Sequence, residues 1–188
     1  MHYDHKSVQQ KNWDESFIHP TSVFQRKSTI CAGFANLFKK FLTVMGIECY
    51  YVPGFVKTSV YRPDGVFDKH GDPKNIAPHA WNCFLIDGNW YLCDCSLASG
   101  YVRNNTYHKQ INLSYFAVLP QHFIFTHYPQ DLKWQLNLSD AHHKYFEWFY
   151  KGCSFLPNND RMLLYENYGL VLKGFSPKKF LPKIESSK

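Results

Sequence analysis

Ser28-Thr29-Ile30-Cys31-Ala32-Gly33-Phe34-Ala35-Asn36-Leu37-Phe38-Lys39-Lys40-Phe41-Leu42-Thr43-Val44-Met45-Gly46 is the stretch whose reading decides the fold. Phe34, Leu37, Phe38, Phe41, Leu42 and Met45 recur at helical spacing, with Lys39 and Lys40 on the opposite face. Gly46 follows as a natural C-cap. The pattern predicts a helix over 30–45 with Cys31 in its first turn. Upstream, Ser22 and Gln25 have the spacing of a capping box, which predicts a short helix over 22–27.

Downstream, Ile47 to Val52 is β-rich and continues past Pro53 through Gly54 to Lys57. Residues 58–78 are polar and rich in Asp, Gly and Pro, hence a loop or irregular hairpin. Asp64, Asp68 and Asp72 in it lack the every-second-residue spacing of a calcium loop. Two strands are then expected, His79 to Ile86 and Asn89 to Cys95, joined by the hairpin dipeptide Asp87-Gly88. Tyr115 to Leu119 and Phe123 to Thr126 read as further short β-like runs around Pro120. Asp140 to Tyr150 reads as a helix, and Met162 to Tyr165 with Gly169 to Leu172 as a last pair of strands. A helix followed by mostly sequential strands argues an α+β fold with an antiparallel sheet. The expected division is a core domain over 1–150 and an extension over 151–188, packed strands followed by a basic tail.

Composition narrows the function. The 188 residues are 18% aromatic and 19% charged, which excludes disordered, collagen-like and coiled-coil chains. Residues 1–6 are too polar for a signal-peptide core, and no apolar run approaches the roughly 18 residues of a membrane span. The expectation is a soluble cytoplasmic chain without a membrane partner. The net charge of +6 invites a nucleic-acid reading, but five of the 21 basic residues lie between Lys173 and Lys188 against the single acid Glu185. The body is therefore close to neutral, and zinc-finger spacing, an RNA-recognition aromatic signature and a helix-turn-helix pattern are all lacking. Six cysteines are present, without a C-x2-C pair, so the expected state is reduced thiols with no metal and no cofactor.

One thiol stands apart. A helix N-terminus sets partial positive charge and unpaired N–H groups beside Cys31, which favours the thiolate. Its own backbone N–H is available to a developing oxyanion, and Gly33 leaves room for a close approach. A nucleophilic cysteine needs a base, and the base an orienting partner. A two-residue Asp87-Gly88 turn sets His79 opposite Ser96 and Trp81 opposite Asp94, so all four share one sheet face. His79 and Asp94 become diagonal neighbours about 7–8 Å apart at the backbone, within reach of side chains. Cys93 and Cys95 fall on the other face.

These residues resemble a known family. Ile30-Cys31-Ala32-Gly33-Phe34-Ala35, Gly46-Ile47, Gly54-Phe55-Val56-Lys57, His79-Ala80-Trp81-Asn82, Asp87-Gly88-Asn89-Trp90 and Leu92-Cys93-Asp94 resemble the transglutaminase-like superfamily. Tyr115-Phe116, Pro120, His127-Tyr128-Pro129 and Trp134-Gln135-Leu136 look like its kyphoscoliosis-peptidase branch, which includes hillarin-like proteins. The resemblance spans roughly residues 24–150. It implies a papain-like cysteine-protease fold, with the helix bearing Cys31 packed on an antiparallel sheet. It also implies a triad of Cys31 as nucleophile, His79 as general base and Asp94 as orienting acid; Trp81, which shares the triad face of the hairpin, is the candidate substrate-side residue that shields the thioester. The implied activity is cysteine-dependent acyl transfer on protein amide bonds, by peptidase action or protein cross-linking, on cytoskeletal protein substrates. The alternative is a non-catalytic cytoskeletal scaffold that keeps the fold. Chains of the branch usually carry further domains. Two positions depart from the family pattern: Thr29 stands where Gly is frequent, and Leu97-Ala98 where Trp-Gly is frequent.

Overall fold

The computed structural model describes residues 1–56, 77–124 and 126–136. In chain order these form β1 (His2–Tyr3), α1 (His5–Gln10), α2 (Glu15–Ile18), α3 (Pro20–Arg26), β2 (Ser28–Thr29), α4 (Cys31–Val44), β3 (Cys49–Val56), β4 (Ala77–Ile86), β5 (Asn89–Cys93), α5 (Cys95–Ser99), β6 (Gly100–Arg103), β7 (Thr106–Lys109), α6 (Pro120–Phe123) and β8 (His127–Pro129). Single 3-10 turns cover Leu113–Tyr115 and Leu132–Gln135. The helix read over 140–150, the two last strands and the 151–188 extension lie outside the described residues, as does nearly all of the 58–78 loop.

The helix expected over 30–45 is α4. It closes as a Schellman cap, with the Gly46 N–H on the Thr43 carbonyl at 3.1 Å and the Ile47 N–H on that of Leu42 at 2.9 Å. Its buried face is Ala32, Gly33, Phe34, Ala35, Leu37 and Leu42. Phe41 and Met45, expected on that face, are 47% and 69% exposed, and Phe41 instead meets the Phe24 ring edge-on at 6.1 Å. The other short helix, α3, begins two residues before its expected start, because Pro20 occupies the first helical position where a missing N–H costs nothing.

The main sheet is antiparallel, in the order β5-β4-β3-β8. Asp87 (φ 50°) and Gly88 (φ 75°) make the expected two-residue turn, and the β4–β5 ladder runs from Ile86–Asn89 to Asn82–Cys93. Beyond Cys93 the structure departs from the expectation. Asp94 leaves the ladder and its carboxylate caps the Ser96 and Leu97 N–H groups, so Cys95 opens a helix instead of extending the strand. Asn104 and Asn105, both at positive φ, turn the β6–β7 hairpin, which the sequence reading missed.

The two β-like runs around Pro120 are corrected as well. Tyr115 ends a 3-10 turn, and Val118 makes only an isolated bridge to Leu92. Pro120 starts α6, which takes up Phe123, and the strand that follows is β8. Helix α4 covers one sheet face, where Ile30, Ala32 and Ala35 meet Ala80, and Leu42 meets Cys49, Phe84 and Cys93. On the other face Val52, Trp81, Cys83 and Leu92 pack with Phe123. The result is a helix bearing Cys31 on an antiparallel sheet, an α+β fold. Among the described residues no helix is long and apolar enough to cross a membrane.

Candidate active site

The site gathers at one end of the sheet, where α4 begins, β4 passes and β5 hands over to α5. Cys31 is the first residue of α4 and half-buried. Ile30 caps that helix without a side-chain hydrogen bond to the first-turn N–H groups. The room at Gly33 proves to be already used. A Cβ there would overlap Thr29 Oγ1 and lie 2.8 Å from Thr29 Cβ, while the Thr29 hydroxyl donates to the Phe17 carbonyl at 2.8 Å. Thr29, the departure from the family pattern, is thus wholly buried against a glycine.

His79 lies on β4 opposite Gly54. Its Nε2 is 2.5 Å from Asp94 Oδ2, and the Cys31 thiol stands close enough to act on the ring electrostatically. Burial pulls this imidazole down, but the Asp94 charge, the Asp94 hydrogen bond and the Cys31 thiol together outweigh it and raise the ring to about 10. Asp94 is 0% exposed. Burial would push its carboxyl up, yet the charge of His79 and hydrogen bonds from His127 and His79 hold it well below the usual carboxylate range. Oδ1 takes the Ser96 N–H at 2.9 Å, the Ser96 hydroxyl at 2.6 Å and the Leu97 N–H at 3.0 Å.

The structure therefore brings Cys31, His79 and Asp94 together. Asp94 reaches His79 as a helix cap rather than as a diagonal strand neighbour. Trp81 is 1% exposed and packs in the core, its ring 6.4 Å from that of His79. Tyr3 and Tyr51 stand near the thiol; burial raises both phenols and Cys31 raises them further.

One residue was missed. His127, on β8, puts Nε2 3.0 Å from Asp94 Oδ2. Burial lowers this second imidazole to about 4, against the opposing pull of Asp94. His79, Asp94 and His127 offer ligand atoms within 4.8 Å of one another, a set of a size to hold a cation. In the structure the shared carboxylate oxygen is taken by the two imidazoles.

These shifts have opposite pH signatures. A folded His127 that stays neutral down to about 4 forgoes a proton that the unfolded chain binds at about 6.5, so stability falls as pH drops through that window, by about 3 kcal/mol in all. The contribution of His79 is complete below pH 6.5 and is lost as pH rises toward about 10. Melting temperature measured across pH 4–10 should peak near pH 6.5 and fall on both sides. The acid limb should flatten in His127→Gln; an equally steep limb there would contradict the assignment.

The family model described as the transglutaminase-like superfamily matches residues 1–95. Kyphoscoliosis peptidase of Mus musculus and that of Homo sapiens are each 33% identical over 138 residues, 72% of this chain. The chain spans about a fifth of the length of these curated relatives, 20% in each case. A solved structure titled "Crystal structure of a TGase" aligns with 58% of this chain and 25% of its own, at 18% identity and a TM-score of 0.36.

Proposed function

We propose, from the premise that this chain belongs to the transglutaminase-like superfamily, that it is a cysteine-dependent acyl-transfer enzyme acting on protein amide bonds. The observation that carries the reading is the His79 ring, hydrogen-bonded to the Asp94 carboxylate at 2.5 Å beside the Cys31 thiol. The Cys31 sulfur, as thiolate, attacks the amide carbonyl carbon, and the first-turn N–H groups of α4 face the charge that develops on oxygen. Collapse of the tetrahedral intermediate breaks the C–N bond, and the imidazolium of His79 gives its proton to the departing amine. The product is a thioester on Cys31 and a neutral His79. His79 then takes a proton from water as the water attacks, and collapse of the second tetrahedral intermediate releases the carboxylic acid and restores the Cys31 thiolate beside the imidazolium.

The similarity to kyphoscoliosis peptidase supports water rather than an amine as acceptor. The substrates we assign are cytoskeletal proteins in the cytoplasm, carried over from the family resemblance. Asp94 keeps the imidazole oriented throughout, and Trp81 backs the ring from the core.

Alkylation tests the site before any substrate is known. Burial pushes Cys49 up to about 11 and Cys83 up to about 12, while a hydrogen bond to Cys95, followed by burial, raises Cys93. Iodoacetamide read thiol by thiol below pH 7 should mark Cys31 first, at least about tenfold ahead of these three. His79→Ala should remove most of that lead. Labelling of Cys31 no faster than the buried thiols would sink the enzyme reading. Incubation with cytoskeletal proteins, wild type against Cys31→Ala, then distinguishes cleavage from cross-linking.

A further inference from the structure

We propose that His127 is a positioning residue for this site, a neutral imidazole that holds Asp94 in line with His79 by donating a second hydrogen bond to the same carboxylate oxygen. The proposal rests on the triad reading above and adds to it a fourth side chain and a defined proton arrangement.

The hydrogen-bond chain fixes where the protons sit. Ionised Asp94 is only an acceptor, so both Nε2 atoms facing Oδ2 must donate. A neutral His127 has one N–H, and with that proton on Nε2 its Nδ1 must accept. The partner is the Thr126 hydroxyl, 2.7 Å away. The alternative acceptor for that hydroxyl, the Phe123 carbonyl, is longer at 3.3 Å and already receives the Thr126 N–H at 3.1 Å. The chain of donors thus runs from Thr126 to His127 to Asp94.

The surroundings favour the uncharged ring. His127 is 1% exposed, stacked on Phe123 at 3.8 Å between centroids and met edge-on by Trp81 at 5.0 Å. The titratable groups facing it are Asp94 from the start of α5, His79 from β4 with its ring 6.0 Å away, and Tyr115 from its 3-10 turn at 6.2 Å. A second imidazolium here would lie beside that of His79 and compete with it for one carboxylate. A neutral donor avoids the competition.

Its position completes a division of labour within the carboxylate. Oδ1 is pinned by three donors of the first turn of α5, and Oδ2 is shared by the two histidines. Without His127, Oδ2 keeps one donor, and nothing from β8 opposes rotation of the carboxylate away from the His79 ring. The strand that supplies it is short, but Val56–His127 pairing on β3 fixes its register.

The test uses the full chain with 15N-labelled histidine and the variants His127→Leu, which has no donor, and His127→Gln, which retains one. In the wild type at pH 7 the His127 ring should show a protonated Nε2 and a bare Nδ1. In His127→Leu the titration of His79 should shift, and Cys31 alkylation at pH 6–7 should slow about tenfold, the loss expected for a hydrogen bond to a charged group. His127→Gln should restore both to within about threefold. A proton on Nδ1 of wild-type His127, or an unmoved His79 titration in His127→Leu, overturns the proposal. The NMR readout needs no reactivity at Cys31, so a slow thiol with the expected His127 tautomer sinks the enzyme reading while leaving the positioning intact. If His127→Leu does not fold, the wild-type tautomer and the His127→Gln titration still decide.

Discussion

Asp94→Ala is expected to lower folding stability by about 3–5 kcal/mol, the range for removing one partner from a buried charge pair. The residue is wholly buried and its two oxygens collect five donors. Alanine would strand the imidazolium of His79 without its counter-charge, leave the Nε2 of His127 unpaired, and open the first turn of α5. Asp94→Asn separates these roles. Its remaining carbonyl can still cap α5, worth about 1 kcal/mol, but its amide confronts two N–H donors and carries no charge. Urea denaturation should therefore rank wild type above Asn above Ala, with Cys31 alkylation slowed in both variants. A cost below about 1 kcal/mol for Asp94→Ala would mean that the carboxylate does not bind the junction together.

Gly54→Ala is expected to cost as much as the harsher overpacking substitutions, about 3 kcal/mol or more. Gly54 pairs with His79 on one side and with Pro129 on the other. A Cβ there would overlap both the Tyr128 carbonyl oxygen and Trp81 Cη2, and would come within 2.9 Å of Pro129 Cα. Neither obstacle yields easily: one is backbone in a paired strand, the other a core indole. The strand β8 must move, and it carries His127. The variant should accordingly show, besides a lower denaturation midpoint, the same displaced His79 titration as His127→Leu. Normal stability and an unmoved His79 would show that β8 does not depend on this close approach.

How far the sequence reveals these features depends on how local their causes are. Helix α4 is legible because six apolar side chains and a terminal glycine repeat one period within a single stretch, although the pattern does not tell which edge of the apolar face meets solvent, hence Phe41 and Met45. The β4–β5 register follows from two turn residues, and the nearness of His79 to Asp94 expected from it is met by their 2.5 Å contact. It could not reveal that Asp94 would cap a helix, because a capping aspartate and a strand aspartate look alike after an alternating run. Phe123 to Thr126 has strand-like composition, but Pro120 at a helix start overrides it. His127 was beyond reach by local pattern: its strand has three residues and pairs with β3, some seventy positions earlier. The His127-Tyr128-Pro129 motif, already noted in the family resemblance, was the available signal.

Asp94 ends a strand, begins a helix and faces the site histidine, and this threefold duty bears on descent as much as on chemistry. A lineage without the proposed reaction could exchange the half-buried Cys31 for serine or alanine at a cost of about 1 kcal/mol or less. It could not shed the carboxylate without loosening the passage from β5 to α5. Among descendants of this chain, the thiol would record whether catalysis has been kept, whereas the carboxylate would record only that the chain still folds.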